Sequence, residues 1–318
     1  MFENSIKSPK VAIVGAGFVG STFAYSLLIH GTVSQIAIID VNKERAEGEA
    51  MDLNHGLPFA YPVKIWAGDY SDCKDADIVV IAVDKGQKIE KSRLELAKGN
   101  LEIMKQIIPK ITEYNKKCIL VVVSNPLDVM TYAALKLSSF PKNKVIGSGT
   151  ILDSARLRYL LGEHLQIDPR NVHAYIIGEH GDSEVPAWSL ANVAGIRLRD
   201  YCPICKVPYD PEHFNGLFLK VRDAAYEIIK RKGRTHYAVA LGMTRIVESI
   251  VRDENAVLTV SCFLEDYHGV SDICLSVPVI LNRSGIKEII KLPLDQKEIE
   301  NFQKSATIIR EVNKSLEF

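Results

Sequence analysis

Four short segments of the 318-residue chain carry side chains that could act together. Gly15-Ala16-Gly17-Phe18-Val19-Gly20 follows the apolar run KVAIV (10–14) and opens a helical stretch. In that setting Gly15 permits a tight turn and Gly17 lets backbone approach a pyrophosphate. Gly20 packs helix against sheet, and the helix N-terminus offers N–H donors to the anion. Asp40 ends the next apolar run, 20 residues past Gly20. A carboxylate there accepts hydrogen bonds from adenosine ribose hydroxyls and repels a 2′-phosphate, so the reading is NAD rather than NADP. The competing reading, a glycine turn and a helix-capping aspartate, has to explain both features separately.

The other three segments suit proton transfer and anion binding. Ile151-Leu152-Asp153-Ser154-Ala155-Arg156 begins a helix and sets Asp153 and Arg156 three apart on one face. His180 lies in the glycine-flanked turn Gly178-Glu179-His180-Gly181, its ring free to point into a cleft. Asn125-Pro126 ends the run ILVVV, at the strand edge where doubly wound sheets bind ligands. Singly, Asp153 with Arg156 reads as a surface ion pair and His180 as a structural histidine. Taken together beside a nicotinamide site, they match a known set of active-site residues closely.

Positioning these groups requires a particular scaffold. KVAIV (10–14), QIAIID (35–40), VKIW (63–66), IVVIAV (78–83) and ILVVV (119–123) have the length and β-branched content of doubly buried strands. Helical stretches fall between them at 18–30, 43–53, 92–115 and 127–138. This alternation predicts an α/β fold, a doubly wound parallel (Rossmann) sheet with right-handed crossovers. Pro109 predicts a kink or break in the 92–115 helix. After residue 147 the rhythm changes. A helix at 152–164, a strand at 172–177, helices at 210–232 and 235–253, strands at 256–263 and 273–281 and a final helix at 295–315 make a mixed α+β region. The expected division is a dinucleotide-binding domain, 1–147, and an α+β substrate domain, 148–318.

Composition excludes several classes. With 47% hydrophobic and 25% charged residues, disorder and fibrous folds drop out. Lys plus Arg equal Asp plus Glu at 39 each, so no basic field exists for nucleic acid. No apolar run is long enough to span a membrane, and the first ten residues lack a signal-peptide core. Six scattered cysteines do not form a disulfide framework, and the expected location is the cytoplasm. Cys202-Pro203-Ile204-Cys205 has metal-ligand spacing, but no second pair follows, so no metal is expected.

The segments VGAGFVGS, MDLNHG, AGDYSDC, SNPLD, VIGSGTILDSARLR, VHAYIIGEHGDSE and KGRTHYAVALG resemble the lactate/malate dehydrogenase family, its bacterial L-lactate dehydrogenases in particular, across nearly the whole chain. The resemblance implies that His180 is the acid/base toward a 2-keto acid, with Asp153 orienting its ring. It implies that Arg156 holds the substrate carboxylate, that Arg93 polarises the carbonyl from a closing lid, and that Asn125 and Thr235 touch substrate. Val19, Arg45, Tyr70 and Ser148 fall, by the same resemblance, at lesser cofactor contacts, and Asn125 is shared with the cofactor.

One lid position separates substrates. Malate dehydrogenases carry an arginine for the second carboxylate of oxaloacetate, and Gln87 stands there. A neutral side chain leaves that carboxylate unpaired in a closed site, which favours pyruvate, although Lys88 next door could reach a dicarboxylate. Arg158 and His173 match the positions that bind fructose 1,6-bisphosphate in allosteric bacterial members, which also implies a homotetramer. The segment VDKGQKIEKSR (83–93) departs from the family, with Asp84 where glycine is usual and Ile89-Glu90 where the lid usually carries a Pro-Gly-like pair. If position 84 requires positive φ, Asp84 is strained by about 1 kcal/mol, and its charge opposes a pyrophosphate. The alternatives are therefore a malate or other 2-hydroxyacid dehydrogenase, or a non-catalytic nucleotide-binding paralogue.

Overall fold

The computed structural model describes residues 9–85 and 93–317. The first half alternates β1 (Lys10–Val14), α1 (Phe18–His30), β2 (Gln35–Ile39), α2 (Lys43–His55), β3 (Lys64–Ala67), β4 (Ile78–Ile81), α3 (Arg93–Tyr114), β5 (Ile119–Val122), α4 (Leu127–Ser138) and β6 (Val145–Gly147). β1, β4 and β5 are buried along their whole length, as expected for strands covered by helices on both faces. The second half holds α5 (Ile151–Leu165), the short strands β7 (Val172–His173), β8 (Ile176–Ile177), β9 (Val185–Pro186), β10 (Asn192–Val193) and β11 (Ile196–Arg197), then α6 (Leu198–Ile204), α7 (Pro211–Lys232) and α8 (Tyr237–Val251). The long strands β12 (Ala256–Leu264) and β13 (Ile273–Asn282), β14 (Gly285–Ile289) and α9 (Gln296–Ser315) complete it.

Strands β3-β2-β1-β4-β5-β6 are parallel and lie side by side in that order, so the winding reverses between β1 and β4. That reversal opens a crevice at the carboxyl ends of β1 and β4, where doubly wound sheets hold ligands. The sheet then continues. β12 pairs antiparallel with β6 through Ser261 and Gly147, and β13 and β14 extend it to nine strands. One hydrophobic core accordingly runs from Val11 to Leu316 across both halves, while a second gathers α5, α6 and α7 around Leu161, Cys202 and Phe214.

Two local expectations are narrowed. Of the kink or break expected at Pro109, the break does not occur, and α3 runs on to Tyr114. Met104, Ile108 and Ile111 are fully buried on either side of the proline, and that burial outweighs one missing backbone hydrogen bond. The expected 172–177 strand is two strands in different sheets, β7 beside β10 and β8 beside β9. Side chains of the neighbouring helix take its backbone: Thr150 Oγ1 donates to the Ile176 carbonyl at 2.5 Å, and the Ile176 amide donates to Ser154 Oγ at 2.9 Å. Among the described residues no helix is long and apolar enough to cross a membrane.

Candidate active site

The dinucleotide end is shaped by atoms that are missing. Gly15 has φ +111°, and a Cβ there would stand 2.5 Å from the Ala82 carbonyl oxygen, just beyond β4. A Cβ on Gly20 would lie 1.9 Å from the Gly15 carbonyl oxygen, so any larger residue pushes α1 off the turn. At Gly17 the reverse holds: a Cβ would meet no protein atom within 4 Å. Gly17 caps α1 without a side-chain hydrogen bond, and the first turn carries no acidic residue. The free N–H groups and the open space beside them fit a pyrophosphate.

Asp40 closes the crevice on the β2 side. Its Oδ2 accepts from the Ala16 amide at 2.6 Å and its Oδ1 from the Asn42 amide at 2.9 Å, which holds the carboxylate still at the glycine turn. Half-buried Tyr70 faces the same region: burial pushes its phenol up, with Cys73 and the Asp40 charge adding to it. Arg45 is exposed on α2 and lies 3.9 Å from Glu49. Val19 and Ser148 are half-buried, the Ser148 amide donating to the Val122 carbonyl at 2.8 Å. Asn125 is exposed at the end of β5, and its carbonyl accepts from Asn100 Nδ2 at 2.6 Å.

The proton-transfer end is made of buried charge. Asp153, on the first turn of α5, is 2% exposed. Its Oδ2 lies 2.6 Å from His180 Nδ1 and its Oδ1 accepts from an Arg156 terminal nitrogen at 2.9 Å. Burial works against a charged carboxylate, but the His180 and Arg156 charges outweigh it and hold Asp153 low. For His180, burial favours the neutral ring, yet the Asp153 charge and hydrogen bond prevail, aided by Asp128 and Glu184, and raise it to about 9. The other ring edge remains open, with the side chain 28% exposed. One carboxylate thus holds both an imidazole that favours its proton and a guanidinium, an arrangement that can give a proton and bind an anion.

Residues 9–147 match the description "lactate/malate dehydrogenase, NAD binding domain", and residues 150–318 match that family's alpha/beta C-terminal domain. The chain belongs to the lactate/malate dehydrogenase family. It is 55% identical over 308 residues to an L-lactate dehydrogenase of Acetivibrio thermocellus, covering 97% of each chain. An L-lactate dehydrogenase of Clostridium perfringens is 51% identical over 304 residues, 96% of each. Among solved structures, a lactate dehydrogenase from a Medee basin deep-sea metagenome library superposes with a TM-score of 0.95 at 43% identity, covering 98% of this chain and 99% of that one. The minor L-lactate dehydrogenase of Enterococcus mundtii gives 0.94 at 40%, covering 97% and 98%. NAD is the cofactor of this fold, and the glycine turn and Asp40 are built to receive it.

Within the family frame, Thr235 is half-buried just before α8, and His236 ties that segment to the dinucleotide helix through Thr22 Oγ1, 3.0 Å from its Nδ1. Gln87 and the Arg93 side chain lie outside the described residues. Asp84 is not among the residues with positive φ, so the expected strain does not arise, and it stands 3.5 Å from Asn100 Nδ2. Arg158 and His173 both line a cleft of about 340 Å³ beside Ser154 and Thr259, with Arg158 Nε buried and unpartnered. The described residues contain no cluster of metal-ligating side chains, and Cys202 and Cys205 are free thiols.

Sequence reasoning assigned no role to Asp128, which is 1% exposed. Its Oδ2 accepts the His180 amide at 2.8 Å and its Oδ1 the Ser261 hydroxyl at 2.6 Å, fixing the histidine turn from below. An aspartate in the first turn of a helix reads as an ordinary dipole partner, so only the fold reveals this use.

Proposed function

We propose that the chain interconverts pyruvate and (S)-lactate, with residues 1–147 carrying the dinucleotide and 148–318 the substrate machinery. The observation that carries this reading is the single buried Asp153 carboxylate shared between His180 and Arg156. Relatives named L-lactate dehydrogenase at 55% and 51% identity support the same substrate. Bound NADH supplies the hydride. His180, raised to about 9, is protonated near neutral pH and gives its proton to the keto oxygen. Asp153 keeps Nδ1 protonated and turned inward, leaving Nε2 for substrate. Arg156 clamps the carboxylate through parallel N–H···O bonds, and Arg93 polarises the carbonyl where charge develops. Gln87 leaves no partner for a second carboxylate and so selects pyruvate over oxaloacetate. Asn125 and Thr235 complete the substrate contacts, and Gly15, Gly17, Val19, Gly20, Asp40, Arg45, Tyr70 and Ser148 those to NAD.

Fructose 1,6-bisphosphate fits as an effector because Arg158 and His173 share the cleft on the far side of α5. A phosphate drawn to Arg158 pulls on the helix that carries Asp153 and Arg156. A homotetramer accords with the exposed apolar side chains Tyr25 and Ile29 of α1 and Tyr237 and Leu241 of α8, and the proposed location is the cytoplasm. The test is NADH oxidation followed at 340 nm with pyruvate, with and without fructose 1,6-bisphosphate. Turnover with pyruvate, faster with the bisphosphate and slower with oxaloacetate, is expected. Flat absorbance at millimolar pyruvate with NADH still bound overturns the catalytic reading, and faster turnover with oxaloacetate overturns the choice of acid.

A further inference from the structure

Glu184 follows the histidine turn directly. Its amide donates to the Gly181 carbonyl at 3.1 Å, which closes the turn, and β9 begins at the next residue. The residue is 6% exposed, and Oε1 is buried with no hydrogen-bond partner among the described residues. A carboxyl group placed so is costly to keep charged.

Most of the charged groups that act on Glu184 are those of the proposed reaction. Asp153 and Arg156 come from α5, His180 from the turn, and Arg222 from α7. Arg222 is already engaged by Asp223 at 2.8 Å, and it also feels Asp182, which accepts from the Tyr226 hydroxyl at 3.1 Å. Arg156 is tied to Asp153 and must meet a substrate carboxylate as well. A second anion beside it would compete with that carboxylate by direct Coulomb repulsion in a poorly solvated cleft.

We propose that Glu184 stands beside the acid/base couple as an uncharged carboxyl, and that its ionisation, separately from that of His180, closes the site to carboxylate substrates at alkaline pH. The inference rests on the reading of His180 as acid/base and of Arg156 as carboxylate anchor. Burial pushes Glu184 up to about 9, with Asp153 adding and His180, Arg156 and Arg222 opposing, so the neutral form prevails near neutrality. Its ionisation favours a protonated His180 and disfavours a bound anion. The effect therefore falls on KM for pyruvate and leaves kcat nearly untouched.

The experiment compares the full chain with Glu184→Gln across about pH 6 to 10, measuring kcat and KM for pyruvate at saturating NADH. Glutamine keeps the shape and removes the ionisation. At about pH 7 the two proteins should agree within about twofold in both constants. Above about pH 9 log kcat/KM of the wild type should fall with a slope approaching −2, and that of the variant with a slope of −1, a gap of about tenfold one pH unit above both ionisations. Superimposed profiles overturn the inference while leaving the role of His180 intact. A loss beyond tenfold near neutrality also overturns it, since the charged form would then be required. His180→Asn serves as the separate control, for retained activity there removes the reading on which the inference rests.

Should Glu184→Gln not fold, proton uptake by the wild type decides. Oxamate, an unreactive analogue of pyruvate, is bound to the NADH complex at about pH 9.5 in buffers of different ionisation enthalpy. His180 by itself can take up at most one proton per oxamate, so uptake above one supports Glu184 and uptake of one or less overturns it.

Discussion

The two ends of the active-site cleft are built by opposite means. At the dinucleotide end, function lies in backbone and in side chains that are absent: Gly15 at φ +111°, Gly20 against the Gly15 carbonyl, Gly17 open to a ligand. At the end proposed for proton transfer the structure relies on buried charges that satisfy one another, Asp153 holding both His180 and Arg156. The first end is governed by steric exclusion, the second by electrostatics in a site shielded from water. Substitutions should therefore fail differently at the two ends, through space at one and through charge at the other.

The sharpest way to break the contrast is at His180. His180→Asn should lower kcat/KM for pyruvate by about 10³, within the range for losing a general acid, while NADH binding measured by fluorescence stays within about twofold. A comparable loss of NADH affinity would show that the two ends are not separable. Arg156→Lys keeps the charge but loses the planar fork, and should raise KM for pyruvate about 100-fold. An increase below about threefold would show that charge alone anchors the carboxylate.

At the other end Gly17→Ala and Gly20→Ala separate ligand space from protein space. Gly17→Ala meets no protein atom, so its thermal midpoint should not move while NADH affinity falls about tenfold. Gly20→Ala should lose about 1–3 kcal/mol of stability as well, because α1 must shift. Equal melting temperatures for the two would mean that α1 yields freely.

The pH dependence sharpens the electrostatic half. His180 is raised to about 9, and on the proposed mechanism it must be protonated to reduce pyruvate. So kcat/KM for pyruvate should stay flat through neutrality and fall above about 9, while lactate oxidation rises over the same range. A midpoint near 6.5 for both directions would show that Asp153 does not act on the ring. The smallest effect belongs to Asp84→Gly. Without positive φ at Asp84 there is no strain to relieve, so stability should stay within about 0.5 kcal/mol, and a lower KM for NADH would isolate the charge of Asp84.

The parallel half of the fold was legible almost residue by residue. Doubly buried strands print unbroken β-branched runs, and α1 and α4 begin and end where their turn residues place them. The 172–177 run was misread because Thr150 and Ser154 of the preceding segment take its backbone, a competition that no local pattern displays. β6 and β14 were passed over. The first is three residues long, and neither strand carries the alternation that marks a half-exposed strand.

The sequence by itself determined the cofactor class and the strands and helices of the parallel half, because glycine conformation, strand burial and helix spacing act over fewer than about ten residues. Only the tertiary structure decided that Asp128 braces the histidine turn from α4, that His236 ties the Thr235 segment to α1, and that β12 carries one sheet across both halves. The first two of those contacts join residues 52 and 214 positions apart. Side-chain charge and hydrogen bonding act through space, and chain order does not record which distant groups the fold brings within 3 Å.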